Sequence, residues 1–157
     1  QSNPKTEKLK HQHQKLMQET TSNKAQVQAF FQYLEHENIS AMVDLFSDDG
    51  EQINPYASDL FPNGAKGKKA LMNYWEPVPQ NFDGMEFTIE ELLETENPNL
   101  IYVKYRGKIQ LKNDAGFYEN QYYSTFRFNN DGKITEYVEI FNPIVAAKAF
   151  GLIDSIN

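Results

Sequence analysis

The 157-residue sequence contains no cysteine. Disulfides, thiolate metal sites and a cysteine nucleophile are therefore excluded, and the redox compartment is left open. Cations are in deficit: 15 Lys and Arg stand against 22 Asp and Glu, a formal charge of -7. Nucleic acid and anionic membrane both call for a basic face, so neither is an expected partner. No apolar run approaches the length of a membrane span. A phosphate-binding glycine loop and a nucleophile triad are also missing. Histidine is scarce, limited to His11, His13 and His36. His11 and His13 have metal-like types and spacing but no nearby second pair, so no metal and no cofactor are expected.

Aromatic residues are abundant, with 9 Tyr and 11 Phe, and they fall mostly after residue 74. Many tyrosines in an acidic chain favour an amphipathic cavity over a plain aliphatic core. The length suits one domain with a sizeable core and hardly two. The chain opens on Gln1 and the polar stretch "QSNPKTEKLKHQHQK". That start fits a cleaved signal peptide or a trimmed boundary; export to the periplasm or medium is the expectation over a cytoplasmic location.

Residues 5–20 are polar and helix-prone, with Leu9, Leu16 and Met17 as their only apolar contacts. A marginal helix is expected there, so residues 1–22 form an extension and 23–157 the domain proper. Ser22 or Asn23 can cap the next helix, whose Val27, Phe30, Phe31 and Leu34 follow helical spacing. Asn38 closes it, and Ser40 opens a further helix with Met42, Val43, Leu45 and Phe46 as its buried stripe, ended by "SDDG". A short strand at 51–54 and a Pro/Gly-rich loop at 55–67 precede the helix "KKALMNYW". From Met85 onward the chain alternates as strands separated by "ENPN", "KNDAG" and "NNDG" turns. Helices followed by a long antiparallel meander predict an α+β domain with helices covering one sheet face.

Strand parity selects the inner face. On the penultimate strand Tyr118, Asn120, Tyr122, Ser124, Phe126 and Phe128 share one side, opposite Glu119, Gln121, Tyr123, Thr125 and Arg127. On the last strand the matching set is Tyr137, Glu139 and Phe141. Its other set, Ile134, Val138 and Ile140, is apolar too. A strand apolar on both faces needs two covers and the helices supply one, so a homodimer through the convex face is expected.

Taken in order, "LFSDDG", "GKKAL" with Trp75 after it, "ETENPN", "YRGKI", "GFYEN", "STFRFNNDGKITEYVEIFNP" and "AFGL" resemble the nuclear transport factor 2-like superfamily. That group includes SnoaL-like polyketide cyclases and ketosteroid isomerases, and the likeness is nearest to the phenazine-biosynthesis A/B proteins. It covers roughly residues 24–152. The resemblance implies a cone: a strongly curved sheet wrapped around a long helix, a deep pocket at the wide end, and dimeric assembly. It also implies an acid/base glutamate at Glu139. Departures accompany it. A histidine of the phenazine proteins falls near Tyr74, and their second-helix arginine near Ala41 or Met42. The general-base aspartate of ketosteroid isomerases falls near Asn54, and their acidic oxyanion donor near Ser124.

Glu139 is the candidate catalytic residue, because an aromatic lining would raise its pKa toward neutrality. The competing reading makes it an ion-pair partner of Lys104, Arg106 or Arg127, or the acceptor of a tyrosine hydroxyl. Tyr74, Tyr105, Tyr118, Tyr122 and Tyr137 are candidate donors to a ligand carbonyl, or core residues with satisfied hydroxyls. Asn54, Asn120 and Ser124 are candidate ligand-orienting or water-bridging groups. Trp75 is a candidate pocket wall or a helix-packing residue, and Phe141 is a candidate ligand-binding residue. The expected function is binding of a small hydrophobic, polar-tipped molecule, with cofactor-free isomerase, cyclase or dehydratase chemistry at Glu139. A non-catalytic binding or assembly module of the same fold is the alternative.

Overall fold

The computed structural model describes residues 3–154, with the side chains of residues 14–22 left out. Helix α1 spans Pro4–Glu35, α2 Ile39–Asp44, α3 Lys68–Trp75 and α4 Pro143–Ala149. Strands are β1 Phe46–Ile53, β2 Gly64–Lys66, β3 Phe82–Glu94, β4 Leu100–Leu111, β5 Phe117–Phe128 and β6 Ile134–Phe141. They form one six-stranded sheet in the order β2-β1-β6-β5-β4-β3. All neighbours are antiparallel except β1 and β6. The sheet is curved and unclosed, an α+β cone with α1 on its concave side. Register irregularities in β3, between β5 and β6, and between β1 and β6 add the local twist that such curvature requires.

One expected helix start, at Ser22 or Asn23, disappears. The extension and the first domain helix are a single helix of 32 residues, Pro4–Glu35. No glycine or proline interrupts it after Pro4, so nothing forces a break at Ser22 or Asn23. The N-cap is Asn3, whose side chain accepts from the Lys5 amide. Asn23 is instead buried and donates to the Pro98 carbonyl, fastening α1 to the β3–β4 turn. Residues 3–13 are exposed, Leu9 among them, while the side chains of Leu16 and Met17 lie outside the described set.

At the other end of α1, Glu37 takes a left-handed φ of 60° and Asn38 caps α2 through the Ala41 amide. Met42, Val43 and Leu45 are buried as the spacing predicts. Phe46 is buried too, but it opens β1 and pairs with Ile134, so "SDDG" continues a strand rather than ending a helix. The loop after β1 contains the short strand β2, and β3 starts at Phe82, before the Met85 expected.

On β5 every residue assigned inward is buried, from Tyr118 to Phe128. On β6 Tyr137 and Phe141 are buried, as parity requires. Ile134 departs from parity. The register slips between Arg127 and Phe128, so Ile134 pairs with Phe128 and turns into the core, fully buried. Only Val138 and Ile140 keep the convex face of β6 apolar.

The narrow end of the cone is dry. Phe30, with no exposed surface, meets the rings of Phe31, Phe46, Trp75, Phe126 and Tyr137 at centroid distances of 4.9 to 6.3 Å. Such edge-on and tilted contacts add to the burial of a large apolar side chain.

Candidate ligand pocket

Toward the wide end the same strands change character. Along β5 the inward residues run from Phe128 and Phe126 to Ser124, Tyr122, Asn120 and Tyr118. Along β6 they run from Ile134 through Tyr137 and Glu139 to Phe141. A cavity of about 170 Å³ opens between these polar segments, α1, α3 and the segments that follow β1 and β6.

Glu139 borders it. The side chain is enclosed by protein, yet the residue keeps some accessible surface, and that surface is cavity wall. One carboxylate oxygen, Oε2, accepts from the Tyr137 hydroxyl at 2.9 Å; Oε1 has no partner among the described residues. Among the described residues no cation reaches it. Lys104 and Arg106 pair with Glu90, and Arg127 pairs with Glu136, all on the convex side. The expected alternative of an ion pair at Glu139 is thereby corrected: those cations sit on the opposite strand face. Burial raises the Glu139 pKa from 4.5 to about 7, with the Tyr137 hydrogen bond pulling the other way.

The hydroxyls around it form directed chains. An ionised Glu139 only accepts, so Tyr137 donates to it. Tyr105 then donates to Tyr137 at 2.7 Å, and Ser124 to Tyr105 at 3.3 Å. A second chain starts from the indole of Trp75, which can only donate. Its Nε1 donates to Gln52 Oε1 at 2.7 Å, Gln52 Nε2 to Asn54 Oδ1 at 3.0 Å, and Asn54 Nδ2 to the Tyr74 hydroxyl at 3.0 Å. In a third chain Asn120 Oδ1 accepts from the backbone amides of Gln121 and Asn142, which fixes its amide orientation. Asn120 Nδ2 therefore donates to the Tyr118 hydroxyl at 2.7 Å, and Tyr118 and Tyr122 share a further bond at 3.1 Å. Burial, reinforced by the negative charge of Glu139, pushes all five phenols upward, so each keeps its proton.

Of the sequence candidates, Glu139, Asn54, Tyr74, Trp75, Tyr105 and Tyr118 border the cavity, as do Tyr122, Tyr137 and Phe141. Asn120 and Ser124 do not. They face inward, but each hydrogen-bonds a lining tyrosine, Asn120 to Tyr118 and Ser124 to Tyr105, and neither borders the cavity itself. Parity gives the face of a strand, and the ring stacked in front decides who reaches the cavity.

Sequence reasoning missed the mouth, formed by Phe61, Val78, Phe82 and Phe150. The Phe150 ring packs against Phe61, Phe82 and Tyr118. These residues lie in loops or at element ends, where no periodicity marks them. Gln52 was also missed, although its place on alternate positions with Asn54 was a usable signal. Gly107 is a third omission. A Cβ there would lie 3.1 Å from the Tyr122 ring and 3.2 Å from Phe87, so glycine lets Tyr122 stack on Tyr105 at 4.7 Å. Among the described residues no cluster of three or more His, Asp or Glu is placed to hold a metal, and no helix is long and apolar enough to cross a membrane.

The protein YesE of Bacillus subtilis, an uncharacterized protein by name, is 23% identical over 122 residues, covering 78% of this chain and 82% of its own. A B. subtilis crystal structure, provisionally named an isomerase, superimposes with a TM-score of 0.77 at 22% identity, over 85% of this chain and 95% of its own. A phenazine biosynthesis-related protein of Pseudomonas aeruginosa gives 0.72 at 22% identity, over 90% and 88%. The profile of the SnoaL-like domain matches residues 27–137, from Val27 in α1 through the first half of β6, Tyr137 included. With that match over most of its length, and with the curved sheet and enclosed pocket just described, the chain belongs to the SnoaL-like domain family.

Proposed function

We propose that the pocket binds a small hydrophobic molecule with polar ends and moves a proton on it, with Glu139 as the acid/base group and no cofactor. One observation carries this reading. Glu139 is an enclosed, cation-free carboxyl with one oxygen free toward the cavity, and its pKa stands at about 7. Such a group both takes and returns a proton near neutrality, the range in which general acid/base catalysis is most effective. A tyrosine hydroxyl from Tyr74 or the Tyr118/Tyr122 pair would stabilise the enolate or alkoxide that forms. Isomerisation, cyclisation and dehydration all need this combination. The test is deuterium uptake from D2O into phenylacetone, whose activated CH2 exchanges through an enolate, followed by proton NMR. The protein should accelerate exchange over an equal concentration of carboxylate buffer, with a rate rising through about pH 7 and lost in Glu139→Gln. Equal acceleration by Glu139→Gln would remove Glu139 from the chemistry, and no acceleration by wild type would leave the non-catalytic binding module as the reading that survives.

We also propose that the working unit is a homodimer joined by convex sheet faces. Leu93, Tyr102, Thr125, Val138 and Ile53 form one cross-strand row there, with Tyr123 and Ile140 beside it. Leu93, Tyr102 and Tyr123 are each at least half exposed. Lys104, Arg106 and Arg127 alternate with Glu90 and Glu136 on that face, so a second copy finds charge of both signs despite the net acidity. Light scattering at micromolar concentration should give a dimer mass, and Val138→Glu a monomer. A monomeric wild type sinks the dimer proposal.

A further inference from the structure

We infer that the pocket selects a neutral ligand of about one aromatic ring that carries two hydrogen-bond acceptors, and that it rejects carboxylates and fused multi-ring molecules. This rests on the reading that the pocket binds a small molecule, and it adds which one by chemical class. Size comes first. The cavity holds about 170 Å³, and a dry cavity of about 150 Å³ takes up benzene. A single substituted ring fits, while a four-ring skeleton would have to displace Phe82, Phe150 or Tyr122.

Charge comes second. Among the described residues no Lys, Arg or His borders the cavity, and the one charged group that does is an acid, Glu139. An anionic ligand would lose its water and meet a like charge, with no counter-ion to offset either.

The direction of the hydrogen bonds comes third. The indole of Trp75 sets the polarity of its whole chain, so Tyr74 accepts from Asn54 and its own O–H is left over. The backbone amides of Gln121 and Asn142 set the polarity of Asn120, so Tyr118 accepts from it. Tyr118 and Tyr122 then hold two protons for one shared bond, and one O–H is again left over. These surplus protons belong to cavity-lining hydroxyls with no acceptor among the described residues. Two donors therefore await two acceptors on the ligand, with Glu139 as the third polar station. A cationic amine would satisfy Glu139 but would face both O–H groups with the wrong polarity.

The test uses probes of matched shape: 4-methoxyacetophenone, 4-methoxybenzoate and 4-methoxybenzylamine, with androst-4-ene-3,17-dione for size, each titrated by calorimetry or NMR at pH 8. The ketone should bind saturably and at least about tenfold more tightly than the benzoate, the amine or the steroid. Tyr74→Phe, and the double variant Tyr118→Phe with Tyr122→Phe, should each weaken the ketone about fivefold and leave the benzoate unchanged. Tighter binding of the benzoate, amine or steroid overturns the assignment. So does a ketone that fails to saturate at millimolar concentration, or one indifferent to both tyrosine variants. The Glu139→Gln variant separates this assignment from the acid/base reading. If it retains the ketone preference while wild type shows no deuterium exchange, the ligand class stands and the chemistry falls. If exchange depends on Glu139 but the benzoate binds best, the chemistry stands and the ligand class falls.

Discussion

The narrow and wide ends of the cone are built from the same strands and differ in what those strands turn inward. Around Phe30 the inward residues of β4, β5 and β6 are Ile101, Val103, Phe126 and Ile134, all essentially unexposed. A few residues along each strand they become Tyr105, Tyr122 and Glu139, set in two separate hydroxyl chains around a void. The dry end gains stability from every ring it buries. The wet end spends some of that stability on an acid with no cation partner among the described residues and on an unfilled volume, features that cluster at functional sites. Stability and function are thus separated by distance along a strand, not by domain.

Mutations should read that division. The largest effect is expected at the dry end: Phe30→Ala removes the ring that five other aromatics touch, and should cost about 3–5 kcal/mol in chemical denaturation. A loss under about 1 kcal/mol would mean that the narrow end is loosely packed and that the contrast is false.

At the wet end the sign should reverse. Folded Glu139 keeps its proton up to about pH 7, whereas the unfolded side chain releases it near 4.5. Unfolding releases protons between those values, so wild-type stability should fall as pH rises through that window and level off above it. Glu139→Gln keeps an acceptor for Tyr137 and removes the titration. It should match wild type below about pH 4.5 and exceed it by up to about 3 kcal/mol at pH 8, measured by urea denaturation at both pH values. A variant less stable than wild type at pH 8 would show that Glu139 has a stabilising partner after all.

The smallest effect also belongs to the wide end, where Gly107 lies between the cavity-lining Tyr105 and Ile109. Gly107→Ala puts a methyl against the Tyr122 and Phe87 rings, and should cost about 1–2 kcal/mol while narrowing the cavity. Binding of 4-methoxyacetophenone should weaken with it. Unchanged stability and unchanged binding would show that Tyr122 can move aside freely.

Much of this was legible in the sequence because the two periodicities are strong. Val27, Phe30, Phe31 and Leu34 keep helical spacing, and β5 alternates without a fault over its whole length. The failures are of three physical kinds. Helix continuity through Ser22 and Asn23 follows from the lack of any breaker there, and the Asn23 side chain that looked like a cap instead donates to a distant carbonyl, that of Pro98. The burial of Ile134 was decided by a register slip against β5, which no alternation within β6 could announce. The ranking of Tyr118 over Asn120, and of Tyr105 over Ser124, was decided by depth, a coordinate that a strand pattern does not carry. Glu139 was legible because a carboxylate among Tyr137, Val138, Ile140 and Phe141 has few reasons to be there. Its lack of a cation was not, because that depends on which face Lys104, Arg106 and Arg127 occupy.

The most direct measurement of the central claim is the titration of the Glu139 side-chain carboxyl by carbon-detected NMR, assigned by comparison with Glu139→Gln. A midpoint of about 7 is expected, displaced from the other glutamates by burial beside the cavity. A midpoint near the ordinary glutamate value of about 4.3 would mean a solvated carboxyl, and the acid/base account of the pocket would be wrong.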